Sequence, residues 1–580
     1  MIAFASFEER GLIMRSLLKR HTWQHVLLIG IVLVVVGCGT SRSTSSTTLT
    51  PTPNATPTTY VAPMPCLSPP PDVCRFWVPN VIAASVVLAQ PTAESNLAQL
   101  VAATLNHVAG TTLAPYQAST NAPPVIALNT TATVFLQNTS TTDDVALLTI
   151  IDKINGLLSS PTPTGAPAQG FIAVNQSKDW IVGASPDWFG TPAQSGGDHV
   201  HGSPDDPPAP TTPSMAAISP SVTPSAAGKT VYVLDTGYLD ASQLPSDGHF
   251  PAFDNLKLLW QQDALPFSLA SDAYSAPALI PPYEFDQEDP TIAAMSPAPA
   301  YSPDHYRAVN VQDHGLAISE LIHWDAPTAH IHLIRVLNDY GVGDLQDLLA
   351  GIQMVLQQGQ KGAIVNLSLD YGPPTDCLDQ YWNAAKTSST LNADSGAARL
   401  GQVFGTNGCL TNDGGIANNA RRYIVIGLAI QELLQMGDIV VASAGNSSSG
   451  GTHGDANMPA AYCGVVAAAA TDGMGNLAPF SNKANSPCIQ FPPLSEQSGS
   501  FLLATNSKPL WAQTLGMKVC SLHFQKLLPY DANAPSNGLA LWSGTSFAAA
   551  LVSGNIAANP SIVPGSAGNV VIANQSVPCK

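Results

Sequence analysis

The stretch Asp344-Leu345-Gln346-Asp347-Leu348-Leu349-Ala350-Gly351-Ile352-Gln353-Met354-Val355-Leu356-Gln357-Gln358-Gly359, followed shortly by Ala363-Ile364-Val365-Asn366-Leu367-Ser368-Leu369, decides the fold class. Leu345, Leu348, Leu349, Ile352, Val355 and Leu356 recur at three- and four-residue steps and fall on one helical face. Asp344 is a good N-cap and Gly359 a good stop. The run that follows is apolar almost throughout, as a strand buried on both faces must be. The same pairing recurs downstream: an apolar segment from Ile424 to Met436 ends at Gly437 and leads into Ile439-Val440-Val441-Ala442-Ser443-Ala444. Upstream, Val231-Tyr232-Val233-Leu234 is another such strand. Residues 228–580 are therefore expected to form a doubly wound α/β domain around a mostly parallel sheet.

Working toward the N-terminus, residues 190–227 are Pro-rich and read as a linker, with Pro207-Pro208-Ala209-Pro210 at its centre. Before it, residues 73–189 alternate between strand and helix patterns. Val81 to Leu88 is apolar, and Leu97, Leu100, Val101, Leu105 and Val108 are spaced as a helix. Val134-Phe135-Leu136 is strand-like, Leu147, Leu148, Ile151, Ile154 and Leu158 give a second helix, and Phe171 to Val174 and Trp180 to Val182 give further strands. That order predicts a small α+β, ferredoxin-like domain. Residues 39–72 are dominated by Thr, Ser and Pro, cannot bury a core, and read as an extended tether.

Residues 1–38 carry Arg10, Arg15, Lys19 and Arg20, then an apolar run from Val26 to Val36 that is short for a spanning helix but suits a secretory signal peptide. Val35-Val36-Gly37-Cys38 resembles the lipobox of bacterial lipoproteins, which implies lipidation of Cys38 and anchorage to the membrane at the bacterial cell surface, outside the cytoplasm. Forty acidic against twenty-two basic residues give a net charge of −18, with no basic stripe, and this argues against nucleic-acid binding. Of nine cysteines, setting Cys38 aside leaves an even number for an oxidising compartment.

Four segments carry the chemistry. Asp235 stands at the end of the Val231 to Leu234 strand, where open α/β sheets place their sites. His314 opens Asp313-His314-Gly315-Leu316-Ala317-Ile318, which reads as a helix start; Asn446 follows Ser443-Ala444-Gly445; Ser546 lies in Ser543-Gly544-Thr545-Ser546-Phe547-Ala548. Peptide hydrolysis needs a nucleophile, a base, a carboxylate to orient the base and donors for the oxyanion. Ser546, His314, Asp235 and Asn446 supply one each, with the Ser546 N–H as a further oxyanion donor.

The order Asp, His, Ser, together with Asp235-Thr236-Gly237, His314-Gly315, Ala444-Gly445-Asn446, Pro459-Ala460, Phe480-Ser481-Asn482 and Gly544-Thr545-Ser546, resembles the catalytic domain of subtilases over residues 228 to 558. The resemblance implies a serine endopeptidase acting on polypeptide substrates, with no cofactor required for the chemistry. Structural calcium is not readable from the sequence, and no metal ligands are assigned. It further implies that Ser368 and Leu369 pair with substrate backbone and that Ser443, Ala444 and Gly445 form the facing wall of the primary pocket. The 73–189 domain resembles the intramolecular prodomain of the family, with Ser185-Pro186-Asp187-Trp188 at its exit. Leu316-Ala317, Asp370 and Ala550-Leu551 depart from the family's usual residues, and residues 238 to 306 form a Pro-rich insertion.

Rival readings are weaker. Asp235-Thr236-Gly237 and Asp394-Ser395-Gly396 could pair as an aspartic-protease dyad, but Asp394 follows no apolar strand. Gly544-Thr545-Ser546-Phe547-Ala548 lacks the last glycine of a nucleophile elbow. His199-Val200-His201 sits in the linker with no further ligands in regular spacing, and His330 and His332 alternate on a strand as a solvent-side pair. A non-catalytic surface lipoprotein on the same scaffold is the remaining alternative. The eight other cysteines allow 105 pairings. Position along the chain favours Cys66 with Cys74, Cys377 with Cys409, Cys463 with Cys488, and Cys520 with Cys579.

Overall fold

The computed structural model describes residues 77–91, 93–116, 123–140, 144–159, 171–188, 190–191, 228–236, 314–337, 343–372, 382, 420–446, 448, 453–472, 474–486, 488–489, 510–517, 519–522, 539–559 and 570–571. Asp313, Asp394, His199, His201, Cys38 and the apolar run before it lie outside these residues.

The first part of the chain is built from β1 (Trp77–Val87), α1 (Leu97–Ala109), β2 (Leu113–Pro115), β3 (Val125–Ala127), β4 (Thr131–Asn138), α2 (Asp144–Ser159), β5 (Ile172–Ala173) and β6 (Trp180–Trp188). The strands form an antiparallel sheet ordered β2-β4-β1-β6-β5, with β3 also on β4. Setting aside the short β3 and β5, this is the βαββαβ order expected of a ferredoxin-like unit. Leu97, Val101 and Leu105 of α1, and Leu147, Leu148, Ile151, Ile154 and Leu158 of α2, are buried as their spacing requires. Val108, at the end of the α1 stripe, stays exposed. A two-residue strand, β7 (Gly190–Thr191), follows within the stretch read as linker.

The second part contains β8 (Thr230–Thr236), α3 (His314–Asp325), β9 (His330–Leu337), α4 (Leu345–Gln358), β10 (Ile364–Leu367), β11 (Asp370–Tyr371), α5 (Ile424–Gln435), β12 (Ile439–Ser443), β13 (Val466–Thr471), β14 (Leu510–Leu515), β15 (Val519–Leu522), β16 (Leu539–Trp542), α6 (Thr545–Ala558) and β17 (Val570–Val571). Seven strands form a sheet ordered β17-β14-β13-β12-β10-β8-β9, and every neighbouring pair runs parallel. The capping expected of α4 is present: Asp344 accepts from the Asp347 N–H, Asp347 answers it, and Gly359 closes the helix at φ 64°.

Side chains alternate across β8 and sort the core into two faces. Val231 and Val233 pack with α3 and α6, whereas Tyr232 and Leu234 pack with α4 and the core of the antiparallel sheet. The antiparallel sheet thus docks on the α4 and α5 face of the parallel one. Polar contacts cross this junction: Glu432 of α5 accepts from the N–H and hydroxyl of Thr130 (2.8 and 2.5 Å) and from the Thr131 hydroxyl (3.0 Å). The Gln353 amide donates to the Ala127 carbonyl (2.6 Å), and Trp188 donates to Arg422 O (3.0 Å) while stacking on Tyr423.

The predicted strand from Ala363 to Leu369 is shorter than expected. After Leu367 the chain leaves the sheet, because Ser368 turns to meet α6 and pairing resumes only at Asp370–Tyr371, now with β7. In sheet order β8 lies between β9 and β10, so the chain crosses over at its carboxyl end, the place where a ligand crevice opens in such sheets.

Candidate active site

Asp235 ends β8 and His314 begins α3, and the two meet: His314 Nδ1 lies 2.8 Å from Asp235 Oδ1. The same Oδ1 accepts the N–H of Thr236 at 2.6 Å. Thr236 in turn accepts the N–H of Gly315 on its hydroxyl at 2.9 Å, which ties the start of α3 to the end of β8. Gly315 is needed here, since a Cβ at this position would press on the Thr236 carbonyl. The His314 ring is held edge-on by Phe547 at 5.3 Å and Trp542 at 6.1 Å. Its Nε2 is buried and has no hydrogen-bond partner among the described residues.

Ser546 is the second residue of α6, so its N–H belongs to the first turn, whose amides have no partner inside the helix. The Ser546 hydroxyl donates to the Ser368 carbonyl at 3.1 Å, and the Ser368 hydroxyl donates back to Ser546 O at 3.0 Å. Asp235, His314 and Ser546 are each 0% exposed. The structure thus brings Asp and His into contact and leaves the serine hydroxyl on a carbonyl rather than on the histidine.

Asn446 follows β12. Its Oδ1 accepts the N–H of Thr545 at 2.9 Å, which sets which end of the amide is oxygen and which is NH2. Thr545 also accepts the Gly445 N–H on its hydroxyl at 3.1 Å, so this one residue fixes the β12 turn against the head of α6. The turn is braced from behind as Asn457 and Asn482 donate their N–H groups to the Ala444 and Gly445 carbonyls, both at 2.9 Å. Gly445 has φ +104°, and a Cβ there would run into the amides of Asn457 and Asn482. Sequence reasoning assigned no role to Thr236, Thr545, Asn457 or Asn482, although Thr236, Thr545 and Asn482 stand inside the motifs and Asn457 just before Pro459-Ala460.

Of the residues expected to line the substrate path, Leu369 and Ser443 meet directly, with Ser443 Oγ donating to Leu369 O at 3.4 Å. Behind them Asp370 accepts from Asn457 Nδ2 at 3.0 Å. Burial pushes the Asp370 carboxyl up to about 8, against a smaller lowering from that hydrogen bond. Cys463 and Cys488 form a disulfide with Cα atoms 4.9 Å apart. The other three expected pairs each include a cysteine outside the described residues. Among the described residues no group of three or more His, Cys, Asp or Glu side chains could hold a metal.

A parallel α/β sheet with an Asp–His pair at its carboxyl edge and a serine heading a buried helix defines the subtilisin-like class of fold. The Subtilase family model matches residues 227–567, more than half of the chain, and the chain belongs to that family. Subtilisin DY of Bacillus licheniformis is 27% identical over 157 residues, which span 27% of this chain and 39% of that protein. Fervidolysin from Fervidobacterium pennivorans, a keratinolytic enzyme related to subtilisin, aligns over 83% of this chain and 55% of its own, at 16% identity and a TM-score of 0.39. The chain therefore spans less than two thirds of the length of either relative.

Proposed function

We propose that this chain is an extracytoplasmic serine endopeptidase that hydrolyses peptide bonds through an acyl-enzyme on Ser546. The observation that carries the reading is the 2.8 Å contact of His314 Nδ1 with Asp235, which leaves Nε2 as the basic nitrogen. The mechanism requires the Ser546 hydroxyl to leave the Ser368 carbonyl for that nitrogen. His314 then takes the proton as Ser546 Oγ attacks the substrate carbonyl, and returns it to the leaving amine; water repeats the sequence on the ester. Asp235 holds the ring in the required tautomer and balances the imidazolium. The Asn446 NH2 and the Ser546 N–H receive the oxyanion. Family membership supports the same activity.

The N-terminal α+β unit fits the role of an intramolecular prodomain. Its trailing strand β7 pairs antiparallel with β11, and Gly190 also exchanges backbone hydrogen bonds with Gly343 at 2.8 and 3.1 Å. A segment of the chain itself thereby lies where an extended substrate would add as a strand. The expected lipid anchor at Cys38 completes the reading and places the enzyme on the outer face of a membrane; Cys38→Ser should shift it to the soluble fraction, and unchanged partitioning would refute the anchor.

Ser546→Ala tests the activity. Hydrolysis of an unfolded polypeptide should fall by about 10⁶-fold, the size of the effect that loss of this group has in subtilisin, with far-UV circular dichroism unchanged. Undiminished hydrolysis would exclude Ser546 as the nucleophile, and no hydrolysis by the parent chain would favour the non-catalytic scaffold.

A further inference from the structure

The pairing of β7 with β11 carries a statement about which polypeptides fit. In register, Tyr371 faces Gly190 and Asp370 faces Thr191. A Cβ built on Gly190 would lie 2.5 Å from both Cε1 and Cε2 of Tyr371, and closer still to Cζ, so the ring occupies the space a side chain would need. The ring has little freedom to withdraw. Tyr371 is 0% exposed, its N–H donates to Met458 O at 2.9 Å, and its hydroxyl donates to the carbonyl of Asp344 at 3.3 Å. Asp344 is the N-cap of α4 and is fixed by its own capping box. Burial, with nearby carboxylates adding to it, raises the Tyr371 phenol well above its ordinary value, so the hydroxyl remains a neutral donor.

Register also relates this position to the nucleophile. Were that register kept beyond Asp370, a bound strand would next face Leu369 and then Ser368, whose carbonyl accepts the Ser546 hydroxyl. The residue opposite Ser368 is thus the third after the one opposite Tyr371.

We propose that Tyr371 is a specificity-determining residue: it restricts a bound strand to glycine at the position it faces, so that preferred substrates are extended segments with glycine three residues before the residue whose carbonyl is attacked. This rests on the endopeptidase reading for its substrate half, while its steric half concerns binding alone. In this chain the same spacing runs from Gly190 through Thr191 and Pro192 to Ala193.

The test has two arms on the full chain. In a Ser546→Ala background, hydrogen exchange at the Gly343 amide reports whether the strand is seated. Gly190→Val should lower its protection by about ten- to a hundredfold, the range expected when a methyl-bearing side chain is forced into filled space. Adding Tyr371→Ala, or Tyr371→Val should the first fold poorly, should restore protection, whereas Tyr371→Phe, which keeps the ring, should not. Protection unaffected by Gly190→Val, or restored equally by Phe, would overturn the inference. In the second arm the parent chain is given peptides of the sequence Trp-Phe-Gly-Thr-Pro-Ala-Gln-Ser-Gly-Gly with Gly, Ala or Val at the third position. Cleavage after the fourth residue of Gly-Thr-Pro-Ala should fall by a similar factor for Ala and further for Val, and Tyr371→Ala should abolish the preference. Ser546-dependent hydrolysis with no preference for glycine would overturn it. Absence of hydrolysis of any polypeptide would instead refute the endopeptidase reading, and the exchange arm would still decide the steric claim.

Discussion

The two faces of the parallel sheet are built differently. On one, α6 is buried along its whole length and packs its run of small residues, Ala548-Ala549-Ala550, against α3 and the strands. On the other, α4 and α5 meet a second sheet through mixed contacts in which apolar packing is interrupted by Glu432, Gln353 and the Trp188 indole. The first face carries Asp235, His314 and Ser546, the three groups proposed for catalysis, on elements held by packing and short polar ties. The second is a junction between two units that are each layered on their own sheet. A change on the first face should reach turnover and leave the junction alone, and a change on the second should do the reverse.

Of the changes that separate the two faces, the larger effect should come from Asn446→Ala, which removes the proposed oxyanion donor on the first face. Turnover on an unfolded polypeptide should drop by about 10² to 10³-fold, and stability in urea should fall by roughly 1 to 3 kcal/mol because the buried Thr545 N–H loses its acceptor. A loss confined to KM would place Asn446 in ground-state binding instead. On the junction face, Glu432→Ala strips the acceptor from Thr130 and Thr131. In a Ser546→Ala background, where the chain stays intact, this should cost roughly 2 to 3 kcal/mol in urea denaturation. The same substitution in the active chain should leave kcat for a short peptide unchanged; a large fall in kcat would mean that the faces are coupled.

The most gradual effect, spread over several pH units, concerns Asp370, which lies beside the proposed substrate path. Its carboxyl is raised from 3.8 to about 8 by burial. Below pH 4 folded and unfolded chains are both protonated at this group. Between pH 4 and 8 the unfolded chain gives up its proton and the folded chain keeps it, so stability falls as pH rises, by up to about 1.4 kcal/mol per pH unit from this group. Asp370→Asn should remove that part of the slope and still accept the Asn457 hydrogen bond. Identical pH slopes for the two proteins would show that Asp370 ionises normally.

Much of the architecture was legible in the sequence. Apolar runs such as Val231 to Leu234 and Ile439 to Ala444 are short and rich in β-branched residues, which favours strands covered on both faces, and the Asp344 to Gly359 segment carries its own start, stripe and stop. The α1 and α2 stripes gave the antiparallel unit. What stayed hidden has identifiable causes. A helix buried all round, like α6, shows no amphipathic period. Two-residue strands such as β7 and β11 are too short for alternation to register, so the seating of Gly190 between Gly343 and Tyr371 could only emerge in three dimensions. For the site, the motif residues announced themselves by type and order. Their holders did not, because Thr236, Thr545, Asn457 and Asn482 act through backbone and amide hydrogen bonds that any small polar residue could suggest.

The central claim is that His314, oriented by Asp235, activates Ser546. Reaction of the chain with a fluorophosphonate, followed by peptide mass mapping, tests it most directly. The account predicts a single adduct, on Ser546, that disappears in His314→Ala while the fold is retained. An adduct on another residue, or labelling of Ser546 that survives His314→Ala at the same rate, would contradict it.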